Sequence, residues 1–396
     1  MPIINRIADY HTELTEIRQQ IHANPELLFD VFETAELIVE KLKEYGVDQI
    51  VTGIGRTGVV AVIKGDMVGE DAKVIGLRAD MDALPITEAS KLDYVSKNIG
   101  KMHACGHDGH SSMLLGAAKY LAETRNFCGE VVCIFQPAEE GGGGGKEMVD
   151  DGMMERFNID EVYGMHTYPD EKLGTFAIRK GAVLASADFF TIDIVGLGSH
   201  AAKSHTSIDP IIIGADIVQT LQSITSRSVD PMAALVISVT QFNAGTADNV
   251  IAQTASLSGT VRSLSPKVRD LAQKRITEIV NGVVGLHGGK VELEYRRNYP
   301  VMSNHADQVD VAADIADLIV GEENVERDVA ASMGAEDFAF MLNKRPDAMI
   351  FISQGPGPEL HHPEFNFNDE IIPIGVSFWV KLAETRLNEL ATSNKF

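Results

Sequence analysis

The stretch GEVVCIFQPAEE, residues 129–140, runs through Val131, Val132, Cys133, Ile134 and Phe135 before it breaks at Pro137. A short, continuous apolar run rich in β-branched residues and closed by proline reads as a buried strand. Two acids, Glu139 and Glu140, follow it directly. Working outward, VVAVIKG (59–65), KVIGLRADM (73–81) and DEVYGMH (160–166) have the same character. Between them SSMLLGAAKYLAE (111–123) places Met113, Leu114, Ala117, Ala118 and Leu121 at helical spacing. Residues 9–45 read as a helix pair broken by a turn at Asn24-Pro25. Strands alternating with helices predict an α/β domain with a mainly parallel central sheet and flanking helices.

The middle third changes character. DFFTIDIVG (188–196) reads as a strand and IDPIIIGADIVQTLQSI (208–224) as a helix. ALVISVTQFNA (234–244) and QTASLSGTVRS (253–263) are strands around a NAGTADN loop. A helix over 265–284 is expected to be capped by Ser265, with Pro266 in its first turn. KVELEYRRNY (290–299) alternates as a strand. The order βαββαβ is that of a ferredoxin-like α+β unit. It predicts a small domain, residues 187–297, inserted into a discontinuous domain of residues 1–186 and 298–396. The resumed part carries a helix near 305–320, the segment MGAEDFAFML (333–342), the strand AMIFIS (348–353) and a closing helix over 370–393.

The 396 residues suffice for two cores. A formal net charge of −23 argues against a nucleic-acid partner, because phosphate binding needs clustered Lys and Arg. No apolar run approaches the ~18 residues of a membrane span. The opening MPIINRIADYHTELTEIRQQ lacks the basic and apolar regions of a secretory signal. Three cysteines are too few and too odd in number for a disulfide framework. The expectation is a cytoplasmic protein with reduced thiols.

Side chains that bind metals recur at the ends of these strands. Cys105 and His107 lie in MHACGHDGH (102–110), Glu139 and Glu140 after FQP, His166 at the end of DEVYGMH, and His361 and His362 after AMIFISQGPGPEL. In open α/β sheets, loops at the carboxyl ends of the strands converge on one site. Thiolate, imidazole and carboxylate together suit zinc, or manganese, cobalt or nickel. A cysteine nucleophile with His107 as its base is the rival reading, but it gives no reason for the paired glutamates or the distant histidines.

The strings LRADMDALPI (77–86), MHACGHDGHSSMLLGAA (102–118), FQPAEEGGGG (136–144), GMH (164–166) and LHHPEFNFND (360–369) resemble the aminoacylase and hippurate hydrolase family of metal-dependent amidohydrolases. The resemblance spans essentially the whole chain. It implies two divalent metal ions per subunit held by Cys105, His107, Glu140, His166 and His361, with the doubled histidine leaving His362 as an alternative to His361. It implies Glu139 as general base and Asp82 as the group that orients a metal-binding imidazole, a task open also to Asp80 or Asp108. In the inserted domain it makes His200, in GLGSHAAKSH (196–205), a stabiliser of the tetrahedral oxyanion, and Asn249 and Arg262 holders of the substrate carboxylate.

Two departures fall in that domain. Ser204 stands where relatives often carry proline, and NVIAQ (249–253) where they often read N-V-I-P-D. The reaction implied is hydrolysis of the amide between an acyl or aroyl group and an amino acid, hippurate-like first. A dipeptidase or carboxypeptidase with the same centre, and a non-catalytic binding protein, are the alternatives. The inserted domain is expected to act as a lid and to mediate a homodimer or homotetramer.

Overall fold

Val131–Phe135 is wholly buried within the strand Glu130–Gln136, as its composition demands. A computed structural model describes residues 4–67 and 72–393, and the chain divides into two units. The first comprises Met1–Gly181, Ser303–Ala330 and Asp337–Phe396; the second comprises Ala182–Met302 and Ala331–Glu336.

The first unit is built on an eight-stranded sheet. In chain order its strands are β1 (Gln49–Ile54), β2 (Gly58–Lys64), β3 (Val74–Asp80), β4 (Glu130–Gln136), β5 (Glu161–Tyr168), β6 (Phe176–Ala177), β7 (Val325–Glu326) and β8 (Asp347–Ser353). Their spatial order is β1-β2-β4-β3-β5-β8-β6-β7. The four central strands β4, β3, β5 and β8 run parallel. Antiparallel pairs flank them, β1 with β2 and β2 with β4 on one side, β8 with β6 on the other. Every residue of β3 is buried, the burial expected of a strand covered on both faces. The helix His107–Thr124 is buried over most of its length and packs on β3, on the helix His11–Ala23 and on the helix Ile372–Ser393. Strand β1 escapes the sequence reading, because QIVTGI is largely exposed and glycine-broken.

The second unit has its own sheet in the order Leu235–Ala244, Thr254–Ser263, Ser186–Val195, Lys290–Tyr299, antiparallel throughout. Numbered along the chain this is 2-3-1-4, the ferredoxin-like arrangement. Its helices Pro210–Ser223 and Pro266–His287 bury Ile213, Ile217, Ile276 and Val280 against Phe190, Ile192 and Leu257. Pro266 occupies the first turn as expected, but Ser265 makes no side-chain cap; its own N–H instead donates to Ser263 Oγ at 3.1 Å. Inside this unit the buried Asp188 carboxylate accepts from Arg269 Nε at 2.9 Å and from the Tyr295 hydroxyl at 2.8 Å. Among the described residues no helix is long and apolar enough to cross a membrane.

Candidate metal centre

Because β4, β3, β5 and β8 are parallel and adjacent, their carboxyl ends share one edge of the sheet, and each strand delivers part of a cluster there. Asp80 closes β3, with Asp82 two residues on; Glu139 and Glu140 follow β4; His166 lies in the last third of β5; His361 sits in the loop after β8. Cys105 and His107 flank Gly106, which has φ 91°, a conformation natural only to glycine. A Cβ there would stand 2.4 Å from Thr167 Cγ2, so glycine is what lets this loop approach β5. Ala138 (φ 53°) and His361 (φ 66°) also adopt the left-handed region without being glycine, backbone strain of the kind that gathers at functional sites. The His361 N–H donates to Ala104 O at 2.7 Å and ties the last loop to the first.

Among the described residues, three of the groups formed by ligand-type atoms within 4.8 Å of one another overlap here: Cys105, Glu140 and His361; His107, Glu139 and Glu140; and Asp80, His107, His110 and His166. His107 and Glu140 each belong to two groups, the connectivity two neighbouring ions would need. Cys105 Sγ lies 3.5 Å from His166 Nε2, and His361 Nε2 lies 3.3 Å from Glu140 Oε1. His362 is turned elsewhere: its Nδ1 accepts the Glu364 N–H at 3.1 Å.

Asp82 organises the site in two ways. Its main-chain carbonyl accepts from His107 Nδ1 at 2.8 Å, while its carboxylate accepts the N–H groups of Glu139 at 2.9 Å and Glu140 at 3.1 Å. With Nδ1 engaged, Nε2 is the atom that His107 turns to the cluster, with Asp80 Oδ2 3.6 Å from it. This Nε2 is buried and has no hydrogen-bond partner among the described residues. A buried polar atom without a partner is costly, and a cation is the partner this donor set suits. The residues therefore fit a divalent metal.

His110 is a brace and not a ligand, since both its nitrogens are occupied: Nδ1 on Asp80 Oδ1 at 2.7 Å and Nε2 on the Thr167 N–H at 2.9 Å. Asp80 is held in turn by Arg78 Nη1 at 2.7 Å. Asp108 serves a separate buried network, accepting from His22 Nδ1 at 2.8 Å, with Arg18 Nη1 3.6 Å away. His103 is buried with neither ring nitrogen partnered among the described residues, and burial pushes it down to about 3.

The electrostatics sort these groups. Burial alone would raise Asp80, but His107, Arg78 and His110 hold it well below the usual carboxylate range. Burial drives His166 well below an ordinary histidine, keeping its imidazole neutral as a ligand requires. Burial and the Glu140 charge push the Cys105 thiol up, so a cation binding there must displace its proton. Hydrogen bonds to Cys105 and Glu140 push His361 up to about 10.

The remaining three predicted residues belong to the second unit. His200 is exposed, pairs through its backbone with Val250, and accepts the Ala202 N–H on Nδ1 at 3.1 Å. Asn249 is exposed, and its carbonyl accepts the Ala201 N–H at 3.0 Å. Arg262 is half-buried on Thr254–Ser263, and its guanidinium makes no hydrogen bond or salt bridge to any described residue.

Residues 76–385 match the peptidase family M20/M25/M40. A hippurate hydrolase of Campylobacter jejuni is 42% identical over 97% of this chain and 99% of its own length. Thermostable carboxypeptidase 2 of Saccharolobus solfataricus is 36% identical over 94% of both chains. Among solved structures, a Bacillus subtilis protein described as a dinuclear metal binding peptidase of the M20 family superposes with a TM-score of 0.83, at 32% identity over 96% of this chain and 99% of that one. With the fold, the donor set and these likenesses in agreement, the chain belongs to the peptidase family M20/M25/M40, as a metal-dependent amidohydrolase.

Proposed function

We propose that this enzyme cleaves the amide bond of N-acyl and N-aroyl amino acids, hippurate-like substrates foremost, releasing a carboxylate and an amine. The observation that carries the reading is the buried His107 Nε2, without a hydrogen-bond partner among the described residues, beside a glutamate pair whose backbone is fixed by Asp82. Two divalent ions on Cys105, His107, Glu140, His166 and His361, whether zinc, manganese, cobalt or nickel, would acidify a water and polarise the amide carbonyl. Glu139 takes the proton of the attacking water and passes it to the departing amine. Glu140 is the neighbour spared that task by its role as a ligand. His200 donates to the developing oxyanion; with Nδ1 accepting from Ala202, a neutral ring carries its proton on Nε2. The half-buried guanidinium of Arg262, which makes no hydrogen bond or salt bridge among the described residues, takes the free carboxylate of the substrate together with Asn249. The second unit serves as lid and dimerisation domain of a cytoplasmic homodimer or homotetramer.

Cleavage of dipeptides by the same centre is the second reading, favoured by the likeness to a carboxypeptidase. Metal-stripped and reloaded protein, assayed on N-benzoylglycine, N-acetyl amino acids and dipeptides, decides between them. Hydrolysis should vanish on stripping and return on reloading, fastest on the acyl amino acids. Activity that survives complete stripping overturns the mechanism, and preference for dipeptides overturns the substrate class.

A further inference from the structure

We infer that Gln253 is a positioning residue for His200, holding the glycine loop that presents the imidazole; the inference rests on the reading of His200 as oxyanion donor. The loop Gly196-Leu197-Gly198 precedes the short strand Ser199–His200 and is squeezed between two other backbone segments. A Cβ on Gly196 would stand 2.1 Å from Ile208 O, and one on Gly198 would stand 2.9 Å from Ile251 O. Leu197 exchanges both backbone hydrogen bonds with Ile208, at 2.8 and 3.1 Å.

Three further hydrogen bonds tie the two glycines of the loop to Gln253. Its carbonyl accepts the Gly196 N–H at 2.9 Å. Its side-chain Oε1 accepts the Gly198 N–H at 2.9 Å, and its Nε2 donates to Gly196 O at 2.7 Å. A primary amide offers donor and acceptor together, whereas an ionised carboxylate only accepts. Gln253, the last residue of the departure NVIAQ, therefore supplies a clamp that an aspartate could fill only in part. The direction of the donor is set separately, by the Ala202 N–H on Nδ1. Ala202 thus fixes which nitrogen carries the proton, and Gln253 fixes where the strand carrying it lies.

A double-mutant cycle tests this, with kcat, KM, metal content and Tm measured for the wild type, Gln253→Ala, Gln253→Glu, His200→Ala and Gln253→Ala/His200→Ala on the fastest amide of the substrate screen. Gln253→Ala should lower kcat about tenfold or more, the scale of loss expected from a misplaced group, with metal content unchanged. Gln253→Glu, which keeps the acceptor and loses the donor, should fall between Gln253→Ala and wild type. In the His200→Ala background, adding Gln253→Ala should cost little further. An undiminished kcat in Gln253→Ala, or an equal fractional loss in both backgrounds, overturns the inference while leaving His200 its role. A wild-type kcat in His200→Ala overturns the reading of His200 and the inference with it.

Discussion

Glu139 and Glu140 are neighbours of one chemical type in different surroundings. Glu140 faces His361 at 3.3 Å, which holds its carboxylate charged against the cost of burial, whereas Glu139 turns towards the Asp337 N–H at 3.4 Å. If Glu139 moves protons and Glu140 binds metal, Glu139→Gln should cut kcat by about 10³-fold with metal content, read by elemental analysis, unchanged. Metal loss in that variant would make Glu139 a ligand. The candidate ligand types stand out in the sequence, because few residues bind borderline cations and they recur at strand ends. Nothing in the sequence separates His361 from His362; in the structure His361, with a left-handed backbone, faces Glu140, while His362 accepts the Glu364 N–H. The Thr167 N–H that engages His110 Nε2 is brought to it by β5, a partner that no local sequence pattern shows.

The helix His107–Thr124 carries His107 and His110, and its packing sets where they stand. Gly109 lies within it so close to the buried Phe367 ring that a Cβ would fall 2.1 to 2.3 Å from three ring atoms. Alanine in a helix ordinarily gains up to about 1 kcal/mol over glycine, but overpacking a core costs about 1–3 kcal/mol, so the clash should win. Gly109→Ala is expected to lower the urea midpoint with an unchanged m-value; a raised midpoint would show that Phe367 yields. Elements with strong apolar runs were legible for the same reason that they are buried. β1, half exposed, and the two-residue strands β6 and β7, which pair only in the assembled sheet, leave no local pattern to read.

Folding stability as a whole should respond to one buried acid at the start of β8. Asp347 pairs Oδ1 with His305 Nδ1 at 2.8 Å, but its Oδ2 is buried without a partner among the described residues, and burial pushes its pKa up to about 9. A carboxyl whose folded value lies above its unfolded value of about 4 contributes stability fully only below that lower value. The contribution fades as pH rises towards 9, because ionisation then favours the unfolded chain. Asp347→Asn cannot ionise, so its Tm relative to wild type should climb between pH 5 and pH 9. A constant difference across that range would show that His305 already neutralises the charge. The two-unit organisation was legible from the switch between helix–strand alternation and the βαββαβ order, although the second unit also takes in Ala331–Glu336, far along the chain.

The interruption of one unit by the other also sets an order of events during synthesis. Cys105, His107, Glu140 and His166 all precede the second unit, and His361 follows it. The ribosome must therefore finish a segment with a core of its own before the fifth candidate ligand exists. Domains tend to fold as units as they emerge, so the second unit can be complete while the metal centre is still open on one side. Metal capture in this chain then belongs to the end of biogenesis, and an ion arriving earlier would meet only a partial set of donors.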